Sequence, residues 1–348
     1  MKRTQLPTLL VGIVLVLSLL ATPLISGCGG GVPGGAEQIT LVYADQYPRG
    51  HTCGSILSEA YIDRVHEMGE GKITIQYEDA GRLLKFSGMM SGCKEGIADM
   101  VIPISGYISG DIPLMAITLM PFVTTTVKGR LAFNWGLATE QPDIVAEFEK
   151  WKFKALYSWP VDDSYLHVKE PVSKLEDFQG LRIRTSGGIP DEMLTALGAI
   201  PVNIPSAETY VALQRGVVDG AIMHTSSFWG WKWYEQCKYT VVTPTTVNAN
   251  CGWVGINTDS WAALPEWAQD IMLEAGQDHM EYMATRFPEL SKELLTKLEE
   301  QGNFLIELDP GELERIEAVT PPVIEKWVAE HGAAGKRVWE YMDSYRGQ

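Results

Sequence analysis

Apolar and polar positions along this chain fall into short runs, each followed by turn residues and then by apolar positions three and four apart. The clearest series lies between Leu175 and Met223. Leu181 to Arg184 predicts a strand, and Thr185, Ser186, Gly187 and Gly188 predict a tight strand-to-helix turn. Pro190 suits the first turn of a helix, where its missing N–H has no intrahelical partner, and Gly198 suits the end of that helix. Pro201 to Ile204 predicts a second strand, followed by Ser206 as an N-cap with Glu208 in the first turn. Tyr210, Leu213 and Val217 share one face of this next helix, and Val217 to Met223 predicts a third strand. Repetition of strand, helix and strand implies parallel strands covered by helices. Open sheets of that kind bind ligands in the crevice beyond the carboxyl ends of their strands. Arg184 falls at such an end, where its planar fork of donors suits a carboxylate; a solvated arginine with a casual acidic partner is the other reading of the position.

Taken in order, Gln38 to Tyr47 predicts a first strand, Cys53 to Met68 a helix, Lys72 to Tyr77 a second strand, Phe86 to Glu95 a helix and Met100 to Ile104 a third strand. Ala155 to Trp159 reads as the strand leading across a hinge, and Tyr165 to Lys169 as the first strand beyond it. Trp253 to Asn257 reads as a returning strand. From Pro265 to about Gln301 the pattern is one long amphipathic helix, with a kink or change of helix expected at Pro288. The tail, Pro310 to Tyr345, is helical with a break at Pro321 and Pro322. The roughly 320 residues beyond the leader exceed the usual size of one core, so two lobes are expected.

The leader itself is residues 1–27: Lys2 and Arg3, an apolar run from Leu9 to Leu20 too short to span a membrane comfortably, then Ser26, Gly27 and Cys28. Small residues before a cysteine resemble a lipobox, which implies cleavage before Cys28 and its lipidation. Residues 28–36 are then a glycine-rich tether. The chain has 28 basic and 44 acidic residues; removing Lys2 and Arg3 leaves 26 against 44, a net charge of about −18. That balance argues against nucleic acid as a partner, since phosphates are repelled. It leaves room for an anionic ligand held by a buried arginine, because surface charge is screened within roughly 10 Å. Cys53, Cys93, Cys237 and Cys251 permit two disulfides in an exported protein, with Cys237–Cys251 and Cys53–Cys93 the favoured pairs. No C-x-x-C pair suggests zinc, and no metallohydrolase, P-loop or nucleophile-elbow motif is present, so neither a metal, a cofactor nor an enzymatic activity is expected.

The runs GLRIRT and LTALGAIPVNIPSAETYVALQRGVVDG resemble the solute-binding proteins of TRAP transporters, the DctP family. Further likeness lies in Pro48 and His51, in Gly71 to Ile73, in Asp79 to Gly81, in Lys94 to Met100, in Gly106 and Tyr107, and in Pro121 and Phe122; it extends from about Gln38 to Trp261. The resemblance implies an α/β, two-lobed, periplasmic-binding-protein-like fold of type II, with a long helix spanning both lobes. Lobe I would be residues 37–160 plus 249–288, and lobe II residues 161–248 plus 289–348. It also implies that Arg184 clamps the ligand carboxylate, with Arg182 at a variable basic position before it. Tyr107 stands where sialic-acid-binding members have an arginine, and Ser164 near the place of another family arginine. Lys85 and Phe86 occupy a stretch that reaches the ligand in some members. Trp159 or Tyr165 would supply a flat apolar wall. Met223 stands where the sialic-acid-binding members have an asparagine, and His224 follows it; Phe228, Trp229, Trp231 and Trp233 read mostly as packing. With aromatic groups replacing polar ones, a medium-sized apolar or aromatic carboxylate is expected as ligand. The implied role is an extracytoplasmic, lipid-anchored receptor that delivers this acid to the membrane subunits of a TRAP permease. Presentation of ligand to a sensor kinase is one alternative, and an exported hydrolase using His224 and Asp162 another.

Overall fold

The computed structural model describes residues 38–120, 126–242 and 251–345. Cys28 and the tether, the signal segment, Pro121 and Phe122 lie outside the described residues, as does the side chain of Cys251.

Two sheets carry the fold. The first contains β1 (Ile39–Ala44), β2 (Ile73–Glu78), β3 (Met100–Val101), β4 (Phe153–Pro160) and, returning from far along the chain, Cys251–Asn257. The second contains β5 (Ser164–Val168), β6 (Arg182–Thr185), β7 (Ile200–Asn203), β8 (Gly220–His224) and β9 (Tyr239–Val241). With the returning strand as β10 and Phe304–Ile306 as β11, the orders are β2-β1-β3-β10-β4 and β11-β9-β5-β8-β6-β7. β6 runs parallel to both β7 and β8, as the repeating pattern predicts. In contrast, β5 is antiparallel to β8 and β10 to β4, because those strands belong to the crossings between sheets rather than to strand–helix–strand units. β3 is shorter than expected: Pro103 has no N–H to give the ladder, and Ile104 rejoins only through a bridge to Gly252.

Residues 161–163 make one crossing between the sheets, and the helix Glu266–Glu300 spans both. This helix packs on β4 and on the helix Ala60–Met68 at one end and reaches β11 at the other. It runs unbroken through Pro288, so the expected change of helix does not occur. Close seating on the first sheet depends on Gly276, where an added Cβ would stand 2.6 Å from the Leu156 carbonyl oxygen. The tail breaks at the expected place: one helix, Pro310–Glu317, ends just before the next, Thr320–Asp343, whose first turn holds Pro321 and Pro322, where proline is tolerated. A further bend comes at Gly332, whose φ is +57°. Before the bend Lys326 pairs with Glu192 of the second lobe, and beyond it Arg337 pairs with Asp143 of the first. The tail therefore holds ion pairs to helices beside both sheets.

Cys53, Cys93 and Cys237 are free and buried, so the bridge expected between Cys53 and Cys93 does not form, while the Cys251 side chain of the other expected pair lies outside the described residues. Cys53 lies against Ser226 and Ser227, whereas Cys93 lies near Asp99, with its carbonyl accepting from Asn257 Nδ2 at 2.6 Å; the two thiols have different neighbourhoods. Cys237 is equally unpaired, its carbonyl held by Asn303 at 2.7 Å. Burial pushes the Cys93 and Cys237 thiols up to about 12, which keeps them protonated.

At the end of β1, Asp45 is fully buried and accepts hydrogen bonds from Ser58 Oγ at 2.6 Å, Tyr77 Oη at 2.8 Å and the Tyr47 N–H at 2.8 Å. Burial outweighs these donors and raises its pKa from 3.8 to about 6. A carboxyl whose folded pKa is raised adds stability that is full below the unfolded pKa and is lost as pH rises through the folded one. Relative to Asp45→Asn, the parent should therefore lose about 2 kcal/mol of unfolding free energy between pH 4 and pH 7, measured by denaturant titration at each pH. Gly276→Ala should lower stability by about 1–3 kcal/mol in the same measurement, by pushing the spanning helix off β4.

Candidate functional site

Gly187 and Gly188, with φ of +98° and +77°, let the chain turn sharply at the end of β6. The turn leaves Arg184 just inside the carboxyl edge, only 2% exposed. Its Nε donates to the Ile204 carbonyl at 2.7 Å, and its Nη2 donates to Tyr107 Oη at 2.7 Å and to Ser206 Oγ at 3.0 Å. The Trp233 ring centroid lies 5.2 Å from the guanidinium carbon, a cation–π contact that holds the group from behind. None of these partners is an acid, and among the described residues no carboxylate lies within ion-pair distance of Arg184. The neighbouring Arg182 is different: it turns to the half-exposed Asp219, 2.6 Å away, and is spent on a surface pair.

Tyr107 comes from the first sheet's side, in the short helix Ser105–Ile108. Its hydroxyl also accepts from the Ser206 N–H at 3.2 Å, so one phenol ties the edge of the first sheet to two residues of the second. Phe86 is buried behind it, stacked at 5.4 Å with planes 18° apart. Ser206 is the first residue of the helix Ser206–Gln214, not its N-cap; Pro205 holds that place, and the serine hydroxyl serves Arg184 and Tyr107 instead.

A cavity of about 20 Å³, room for a single water, opens beside these groups. Arg184, Tyr107, Met223 and His224 line it, together with Ser164, Ser206, Tyr47, Ile104 and Ile222. Four of the residues singled out in the sequence are thus brought together at the seam between the sheets. The other four are not in the lining. Phe86 supports Tyr107 from behind. Lys85 is exposed, because it precedes the turn Phe86–Gly88 and points to solvent beside Gly81. Trp159 is 1% exposed and packs in the core beside Gly252. Tyr165 alternates with Ser164 along β5 and therefore faces the other way, into a separate cavity of about 490 Å³ with Arg130 and the spanning helix.

His224 and Asp162 are both buried, with Nδ1 3.3 Å from the carboxylate. The Asp162 carboxylate accepts the Ser226 N–H at 2.8 Å and the Ser226 hydroxyl, while His224 Nδ1 accepts the Ser227 N–H at 3.4 Å. The pair caps the helix Thr225–Gly230 through the Asp162 carboxylate and His224 Nδ1, and of the two only His224 lines the cavity. Across the seam, His51 caps the first helix through Nδ1, and burial, with His224 nearby, lowers its pKa to about 3. That imidazole is neutral at ordinary pH and adds no charge to that of Arg184.

The model of the DctP family, described as bacterial extracellular solute-binding protein, family 7, matches residues 43–331. The ectoine-binding periplasmic protein TeaA of Halomonas elongata is 23% identical over 323 residues, covering 88% of this chain and 91% of that protein. A monocarboxylate 2-oxoacid-binding periplasmic protein of a Nostoc species is 25% identical over 308 residues, covering 84% and 80%. Among solved structures, a marine metagenome TRAP solute-binding protein for aromatic acid ligands, in complex with 3-hydroxybenzoate, superposes with a TM-score of 0.81 at 18% identity, covering 88% of this chain and 98% of the other. The pyroglutamate-binding receptor DctP7 of Bordetella pertussis superposes at 0.78 with 19% identity, covering 87% and 99%. With the family model covering most of its length and the two-sheet fold shared with these receptors, this chain belongs to the DctP family of bacterial extracellular solute-binding proteins.

Proposed function

We propose that the protein is the extracytoplasmic receptor of a TRAP transporter, closing two lobes over a small organic carboxylate and delivering it to the membrane permease. The supporting observation is Arg184: a buried guanidinium at the seam, bonded only to neutral oxygens and reached by a hydroxyl from the opposite sheet. A carboxylate entering there replaces a neutral acceptor with a charged one and can take two parallel hydrogen bonds. Carboxylic acids are also what relatives of this fold bind, among them pyroglutamate, orotic acid and 3-hydroxybenzoate.

In this reading lobe I is residues 37–160 plus 249–288 and lobe II residues 161–248 plus 289–348, amended by the tail helix that lies across both. The lobes part around residues 161–163 and the spanning helix, admit the acid, and close so that Tyr107 and Arg184 hold it from opposite sides. Exclusion of water then strengthens the ion pair. Lipid on Cys28 keeps the receptor at a membrane surface, and no described helix is long and apolar enough to cross one.

Arg184→Ala should weaken binding of the acid that accompanies the purified protein by about 2–5 kcal/mol, because a desolvated carboxylate loses its cation. Calorimetry with that acid, identified by native mass spectrometry, checks this; unchanged affinity rules out the clamp. Closure has its own test at Gly106, where a Cβ would stand 2.3 Å from Ser186 Oγ and 2.8 Å from Ser186 Cβ across the seam. Gly106→Val should leave the folded lobes intact by circular dichroism but hold them apart. Small-angle scattering in the presence of the acid should give a larger radius of gyration than for the parent, with binding weaker by about 1–3 kcal/mol.

A further inference from the structure

One buried side chain in the lining of the Arg184 cavity has a hydroxyl with no hydrogen-bond partner. Ser164 is 6% exposed, and its Oγ has no hydrogen-bond partner. Several other polar groups around it are occupied. Thr185 Oγ1 donates to Asp191 and accepts from the Gly187 N–H at 3.1 Å. His224 Nδ1 is engaged by Ser226 and Ser227, and Ser206 by Arg184 and Tyr107. A buried hydroxyl without a partner is unfavourable, and one that lines a ligand cavity is a group held ready for a ligand atom.

Its surroundings define what that atom is. Ser164 pairs with His224 across β5 and β8, and Ile104, Ile222 and Met223 supply the rest of the wall. Two residues earlier in the chain, the buried Asp162 carboxylate sits 3.3 Å from that histidine. Among the described residues, Arg184 is the one arginine or lysine that lines this cavity. A second carboxylate beside Ser164 would be desolvated with nothing to neutralise it and with a buried acid nearby. A hydroxyl, carbonyl or amide is matched instead, because a serine hydroxyl both donates and accepts.

Resting on the receptor reading above, we propose that Ser164 is a specificity-determining residue that selects monocarboxylates carrying a second, neutral hydrogen-bonding group, that is, hydroxy-, oxo- or lactam acids, over dicarboxylates. Arg184 takes the charged end and Ser164 the neutral polar end. Discrimination follows from the same asymmetry that governs any buried polar pair: the acid lacking the group leaves the serine unpaired, and the acid carrying a charge leaves the charge unpaired.

The test uses the whole mature chain, freed of bound acid by unfolding and refolding, and calorimetry with matched probes: butyrate, 2-hydroxybutyrate, 2-oxobutyrate, benzoate, 3-hydroxybenzoate, pyroglutamate and succinate. The parent should bind at least one hydroxy-, oxo- or lactam acid, on the order of tenfold more tightly than its unsubstituted counterpart or succinate. Ser164→Ala should erase that preference while leaving the unsubstituted acid's affinity and the thermal midpoint nearly unchanged, and Ser164→Arg should shift the preference toward succinate. The proposal is overturned if Ser164→Ala keeps the preference, if the parent favours succinate, or if none of the probes binds. Arg184→Ala separates the two readings: binding that survives it removes the clamp, whereas binding abolished by it with the Ser164→Ala preference intact removes only the role given to Ser164.

Discussion

A guanidinium taken out of water with no carboxylate in ion-pair contact is an unfavourable feature, and the seam between the two sheets is built around one. Arg184 cannot shed its proton to escape the penalty, since its pKa lies far above any working pH. The surrounding groups reduce the cost with the Ile204 carbonyl, two hydroxyls and the face of Trp233, all neutral. This set is enough to hold the side chain in one orientation but not to neutralise it. On the proposed reading, an anion brought to the same place supplies the charged partner that the arginine lacks, and that difference drives capture.

The geometry also explains why capture and closure belong together. One of the three donated bonds ends on Tyr107, which is anchored to the other sheet and backed by Phe86. Gly106 lets the backbone of that segment meet Ser186 without a side chain between them. Separating the sheets therefore breaks the arginine's contacts as well as the backbone's, and rejoining them restores both. The spanning helix, seated on β4 through Gly276, and the tail helix, bent at Gly332 with ion pairs on either side, remain connected to both sheets throughout.

Much of the second sheet was legible in the sequence because its signals are local. Strand, glycine turn and proline-started helix recur within about fifty residues of chain, and β6, β7 and β8 lie where that pattern puts them. Arg184 was legible too, as a cation at a carboxyl edge. What failed were judgements that needed the partner. Ser206 looks like an N-cap from its neighbours, yet its hydroxyl serves an arginine 22 residues earlier and a tyrosine 99 residues earlier. Lys85, Trp159 and Tyr165 stood near strand or helix ends, but position along an element does not say which face a side chain takes; a shift of one residue separates Tyr165 from the cavity that Ser164 lines. The cysteines failed for a similar reason, since parity and compartment permit a bridge without placing the two sulfur atoms near each other.

The charge balance constrains the kinetics in a direction opposite to the chemistry of the site. A chain of formal charge −16 presents an approaching anion with a repulsive field, and Arg184 is too deeply buried to offset it at a distance. At physiological ionic strength that field dies away within about 8 Å, so encounter is slowed rather than prevented and gains from added salt. Inside the seam the effective dielectric is lower and the same arginine acts at contact range with far less screening. Affinity therefore has to come from the closed state and its slow release, not from electrostatic steering toward an open one. A receptor arranged this way holds its acid only while the lobes stay together, and any surface that pulls them apart weakens the hold on the ligand in the same movement.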